Sequence, residues 1–291
     1  FQDYQDDTNL PVLVIDDEGD LASIDTNYEK DFDGDAEEYS PTTTNKLIRK
    51  LLTRFKRRTF LSVTATPFAN IFIDPDIVLE SDPSTFIELK YKGKESRVMY
   101  DRRVKGWITI EPFLFMAFYD DSLNIEIQVN PEFGSKDIAK IEADKYAPVI
   151  GQLTTELRKD VETVWIHKGL KPFGGGNNNL LIHTDWAAKH YEDQGILEET
   201  FIHEASHTSL DSLHASSPGW LKAQEDDCKF ISSYAEENPI REDISESYLP
   251  YFAIRYRPER IRKSLKDSIE KAIPNRIKYF DAQSFNMYPI E

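Results

Sequence analysis

A single cysteine, Cys228, in 291 residues leaves no partner for an intrachain disulfide, so a disulfide framework is excluded and the redox compartment stays open. Long apolar runs are also missing. The longest, Pro112 to Phe118, falls well short of the ~20 residues that span a bilayer, which argues against an integral membrane protein. Positive charge is scarce: 35 Lys and Arg face 52 Asp and Glu, a formal net charge of −17. A general nucleic-acid or anionic-membrane surface needs the opposite sign. There is no internal repeat, and low complexity is confined to the Gly/Asn run from Gly174 to Asn179. The chain begins at Phe1 and shows no targeting segment, so both a secreted and a cytoplasmic location are compatible with it.

What is present is globular. Apolar residues make up 40% and aromatics 12%, enough for a sizeable core in one large domain or two small ones. The charge is unevenly spread. Residues 1–40 hold fourteen acids and one base, Lys30, whereas residues 41–60 hold seven bases and no acid. Leu10 to Ile15 is a continuous apolar, β-branched run that reads as a buried strand, and Phe60 to Val63 as a second. Between them, Asn45 to Phe60 carries a helical apolar stripe with a basic opposite face. Strand, helix, strand at this spacing is a parallel α/β pattern. After Pro83 the character changes. Strands are expected at Phe86–Tyr91, Arg97–Tyr100, Leu123–Val129, Val161–His167 and Leu180–His183, with helices over Ala139–Leu157, from Gln194 to about Leu210, and from Arg241 to about Tyr256. The expected organisation is therefore residues 1–82 as a partial α/β segment and 83–291 as an α+β domain.

The strongest chemical signal is His203-Glu204-Ala205-Ser206-His207, an HExxH inside the helix starting near Gln194. Four residues apart on a helix, the two histidines share one face and can reach one metal ion. Zinc accepts imidazole nitrogen at about 2.0–2.1 Å and, in catalytic sites, keeps one position open for water. Glu204 stands beside that position as general base. Average residue usage puts HExxH in a chain this long about once in a hundred, so chance is a poor account of it. A third ligand is needed, and the residues offer His214, seven positions after His207, or Glu242 and Glu246, four apart on one face of the helix from Arg241. Tyr234 is a candidate donor to a developing oxyanion. Asp211, His214, Asp226 and Asp243 are candidates to orient the histidines. Leu180–His183 is placed to serve as an edge strand that pairs with an extended peptide, with Gly174–Asn179 as the loop at its start.

The HExxH followed by Glu242-Asp243-Ile244-Ser245-Glu246-Ser247 resembles the gluzincins, and within them the small gluzincin metallopeptidases, whose second motif reads acidic-Asp-x-x-Glu and then a small residue. Metzincins fit less well, because His214 is one residue too far and no Gly turns the chain before it. The gluzincin resemblance covers about residues 84–291. It implies a zincin-like fold and a zinc peptidase with His203, His207 and Glu246 as ligands, Glu242 in reserve, and a peptide or protein substrate in extended conformation. Residues 8–80 resemble something else. Val12 to Asp20 has the form of a Walker B strand, and Val63-Thr64-Ala65-Thr66-Pro67 is similar to a helicase motif. Together they resemble the Z-one helicase-like domain of bacterial endonuclease and restriction proteins. The phosphate-cradling G-x-x-x-x-G-K-[ST] is missing, so this part reads as a fragment of an ATPase core. Alternatives to the peptidase are a nucleic-acid-processing protein with a truncated ATPase core and a non-catalytic, metal-stabilised binding module.

Overall fold

The computed structural model describes residues 11–17, 57–63 and 82–291. The chain divides into two compact units, Phe1–Pro67 and Phe68–Glu291, and the expected boundary at 82/83 lies inside the second. In the first unit, β1 (Pro11–Asp17) and β2 (Arg57–Val63) pair in parallel, from Pro11 opposite Arg57 to Asp17 opposite Val63. The strand thus starts three residues before Phe60, and the expected helix loses its last turn to pairing with β1. Its remainder, residues 45–56, and Thr64–Pro67 lie outside the described residues.

The second unit is an α+β arrangement around a six-stranded mixed sheet in the order β3 (Phe86–Lys94), β6 (Phe113–Tyr119), β7 (Asn124–Val129), β8 (Thr163–His167), β10 (Asn179–His183), β9 (Gly174–Gly176). The β3–β6–β7 ladder is antiparallel, β7–β8 and β8–β10 are parallel, and β10–β9 is antiparallel again. A separate hairpin, β4 (Arg97–Asp101) and β5 (Gly106–Ile110), forms its own ladder.

Side-chain alternation gives the sheet two dissimilar faces. Val164, Ile166, Leu180 and Ile182 point into the main core, where the helix α1 (Lys136–Ile150) adds Ala139, Ala143, Tyr146, Ala147 and Ile150. Trp165 and Leu181 point the other way and form a small cluster with Met99, against which Tyr100, Ile108 and Ile110 of the hairpin pack. Ser135 caps α1 by accepting from the amide of Ile138. Among the described residues, no helix is long and apolar enough to cross a membrane.

The expected edge strand Leu180–His183 is interior. Every residue of β10 is buried, as suits a continuous apolar run covered on both faces. The edge is instead β9, made of the three glycines that the sequence suggested as a loop. Asn177 and Asn178, at φ 51° and 56°, turn the chain between β9 and β10. Asparagine tolerates this left-handed region, and a two-residue turn with both central φ positive matches strand twist.

Against this hairpin packs α2 (Leu197–Ser209), the HExxH helix. Thr208 Oγ1 donates to the carbonyl of Asn179 (2.9 Å) and accepts from the amide of Gly176 (2.8 Å), tying helix to hairpin. At Gly175 the approach is so close that an added Cβ would lie 1.8 Å from the carbonyl oxygen of Glu204. Only glycine fits there. Gly175→Ala must push β9 off the helix, with an expected loss of about 1–3 kcal/mol or more from overpacking. Gly106→Ala, whose Cβ meets nothing closer than 3.8 Å, serves as the control. Urea denaturation should show a lower midpoint for the first variant only, and equal midpoints would contradict the contact.

Candidate metal centre

Two helices build the site. On α2, His203 and His207 face α4 (Asp243–Tyr256), which follows α3 (Pro218–Asp227) in the chain and opens with Glu242 at its N-cap position. Nε2 of His203 and Nε2 of His207 are 3.3 Å apart. Glu242 Oε2 lies 3.1 Å from the second and 3.7 Å from the first. This oxygen is buried, and its polar neighbours are the two imidazole nitrogens. The three atoms converge as one potential cation-binding group.

The remaining atoms of these side chains are already engaged. His207 Nδ1 is 2.8 Å from Asp211 Oδ2 and donates to it. His203 Nδ1 faces Glu246 Oε1 at 3.4 Å. When the imidazoles are neutral, these outer carboxylates favour the proton on Nδ1 and leave the lone pairs on the two Nε2 atoms, the tautomer a metal requires. Tyr234 donates to Glu242 Oε1 (3.1 Å) and Ser232 to Glu246 Oε2 (2.7 Å), so the short helix Ser233–Glu237 and its cap hold both carboxylates. Ser245 Oγ lies 3.1 Å from His207 Nε2 and donates to the Glu242 carbonyl.

The donor set suits a small divalent metal ion. Ligands held at 2.0–2.1 Å in a tetrahedron lie about 3.3–3.4 Å from one another, and the observed separations are 3.3, 3.1 and 3.7 Å. A tetrahedral ion held by these two imidazoles and one carboxylate would take its fourth ligand from elsewhere.

Set beside the sequence expectations, the geometry exchanges two glutamates. Glu246, expected as ligand, meets the outer nitrogen of His203, whereas Glu242, held in reserve, meets both inner nitrogens. Both glutamates are on one helical face, and only the offset between α2 and α4 along their axes decides which one reaches the histidine pair. His214 is elsewhere: its Nδ1 contacts the Tyr279 hydroxyl at 2.7 Å and its ring packs on Phe285. The Tyr234 hydroxyl, expected to face an oxyanion, is engaged by Glu242. Of the candidate orienting residues, Asp211 takes that role. Asp243 pairs with Arg276 and Asp226 with Lys222 at the surface. Cys228 is exposed at the end of α3 and takes no part.

Charge in the site follows from burial and carboxylates. Burial pulls the His207 imidazole down, but Asp211 and Glu242 outweigh it and hold it at about 10. His203 is likewise lowered by burial and raised further by Glu242 and Glu204, ending above the ordinary imidazole value. Burial pushes Glu242 up, yet the two histidines hold it below the usual carboxylate range. Comparison with protein-family models, curated proteins and solved structures gives no match for this chain.

These directions set the sign of a pH effect. At neutral pH the histidines retain protons that a metal must displace, so zinc uptake should release at least one proton and affinity should climb with pH. Calorimetric titration of zinc at pH 7 in two buffers of different ionisation enthalpy should give different apparent heats. Identical heats would show that no proton leaves.

Proposed function

We propose that this chain is a zinc-dependent peptidase with a zincin-like domain, in which His203, His207 and Glu242 hold the metal and Glu204 is the general base. One observation carries the reading: the Nε2 atoms of His203 and His207 and a buried oxygen of Glu242 converge on a common point. Zinc bound there would act as a Lewis acid, acidifying water and polarising a substrate carbonyl. Glu204 follows His203 directly on α2, and its charge bears on both imidazoles. No hydrogen bond engages its carboxylate among the described residues, which leaves it free to take the proton of the attacking water and return it to the departing amine. Asp211 and Glu246 keep the histidines oriented. The substrate's extended backbone is proposed to lie along β9, one of the two end strands of the sheet and the one that touches Glu204.

The roles separate by mutation. Glu204→Gln keeps shape and loses basicity, so zinc content should stay near one per chain while turnover of an unstructured protein substrate such as casein falls about 10²–10⁴-fold. Glu242→Ala should lose zinc outright. Glu246→Ala should weaken zinc by about 10–100-fold, the usual effect of removing an outer carboxylate. His214→Ala should leave metal and turnover unchanged. Full zinc in Glu242→Ala with loss in Glu246→Ala would restore the assignment suggested by the sequence resemblance. Stoichiometric zinc with no polypeptide cleaved by the parent protein would favour a binding module.

A further inference from the structure

On the side of the sheet away from α2, β9 and the β4–β5 hairpin enclose a cleft of about 230 Å³. Its walls are Tyr100, Trp107 and Trp165, with the backbone of Gly174–Gly176 along one side and Arg102 at the rim. Trp107 is 58% exposed, unusual for so large an apolar side chain. Trp165 is 8% exposed, and its indole N–H is buried without an acceptor. Arg102 reaches across from the hairpin until its Nη2 lies where a Cβ on Gly174 would come within 2.6 Å.

The charges around this cleft are unbalanced in one direction. The neighbouring Arg103 takes both nearby carboxylates, pairing with Asp101 at 2.7 Å and Glu132 at 2.7 Å. Arg102 has no carboxylate partner among the described residues. The cleft therefore offers a guanidinium donor beside aromatic walls, and none of its lining side chains is acidic. A ligand carboxylate would pair with the Arg102 guanidinium through charge-assisted bonds.

The sheet geometry supplies such a ligand. A peptide strand laid against β9 sends alternate side chains to opposite faces of the sheet. One set faces α2, and the other faces the hairpin, the side that carries Trp165 and Leu181. We infer that this cleft is a specificity pocket for an aspartate or glutamate side chain of an extended peptide bound along β9. The inference rests on the peptidase reading for the source of the peptide. General electrostatics runs against it, since a chain of net charge −17 repels acidic peptides, so a preference for acid requires a local site.

The test uses the full, zinc-loaded chain carrying Glu204→Gln, so that peptides are bound without turnover. Two acetylated, amidated alanine hexapeptides, one with a central glutamate and one with glutamine, are titrated while tryptophan fluorescence is followed. The glutamate peptide should bind about tenfold more tightly, the scale of one hydrogen bond to a charged group. Arg102→Gln should erase that preference, and Arg102→Lys should keep part of it. Equal affinity for the two peptides, tighter binding of glutamine, or no binding of either at millimolar concentration overturns the pocket. Zinc-dependent cleavage by the parent protein without the preference would leave the peptidase reading standing alone. The preference without zinc or cleavage would leave the pocket standing alone.

Discussion

The position of Glu242 depends on a buried ion network one residue away. Arg276, fully buried, donates from Nε to Asp243 (2.8 Å) and from Nη1 to Asp227 (3.1 Å), both of whose side chains are also inaccessible. Asp243 begins α4, Asp227 ends α3, and Arg276 lies in the first turn of the helix Pro274–Asp281. Three helices are thus pinned where Glu242 enters the site. Such networks add little net stability over a packed apolar core, but removing one member leaves buried charge uncompensated, at about 3–5 kcal/mol. Specificity of register explains the arrangement better than stability does. A slide of α4 by one turn would exchange Glu242 for Glu246 opposite the histidines, and the ion network holds only one of the two registers. Trp220 and Phe230 close over the guanidinium and keep water from relaxing it.

The same register is the point at which the sequence ceased to be informative. Helical spacing alone placed His203 and His207 on one face, because that relation is internal to a single helix. It equally placed Glu242 and Glu246 on one face, but choosing between them required the distance between two helices, which no local pattern encodes. Strands followed the same division. β3, β4, β7, β8 and β10 lie within a few residues of expectation because their apolar or alternating patterns are local. β6 lies in the longest apolar run, Pro112 to Phe118, and burial of most of its residues, between β3 and β7, explains why it lacks alternation. β5 carries the alternating exposure of a half-buried strand, a signal available in Gly106–Ile110 and unused. β9 had no such signal, since three glycines have no side chains to alternate.

Those glycines illustrate how one constraint can serve two ends. Gly175 allows the backbone of Glu204 to approach the sheet edge, while Gly174 leaves room for the Arg102 guanidinium on the other side of the strand. A strand of ordinary residues would hold the helix away and fill the cleft at once. The cost is conformational entropy, which glycine loses most on folding, and the Thr208 hydroxyl offsets part of it by bonding both strands of the hairpin.

The electrostatics of the centre bring these strands together. Glu204, Glu242, Glu246 and Asp211 surround two imidazoles, and none of them forms an ion pair with Lys or Arg among the described residues. Neutral donors, Tyr234 and Ser232, orient the carboxylates instead. The group therefore needs positive charge that no Lys or Arg among the described residues supplies. Protons on the histidines can provide it, which is the physical reason both imidazoles are held above their ordinary value despite burial. A divalent cation held there would also provide it, since the Glu242 oxygen and both Nε2 atoms could face it at once while the outer nitrogens keep their carboxylates. Proton and metal would thus compete for one deficit of charge, and the network around Arg276 keeps Glu242, which contributes to it, in place.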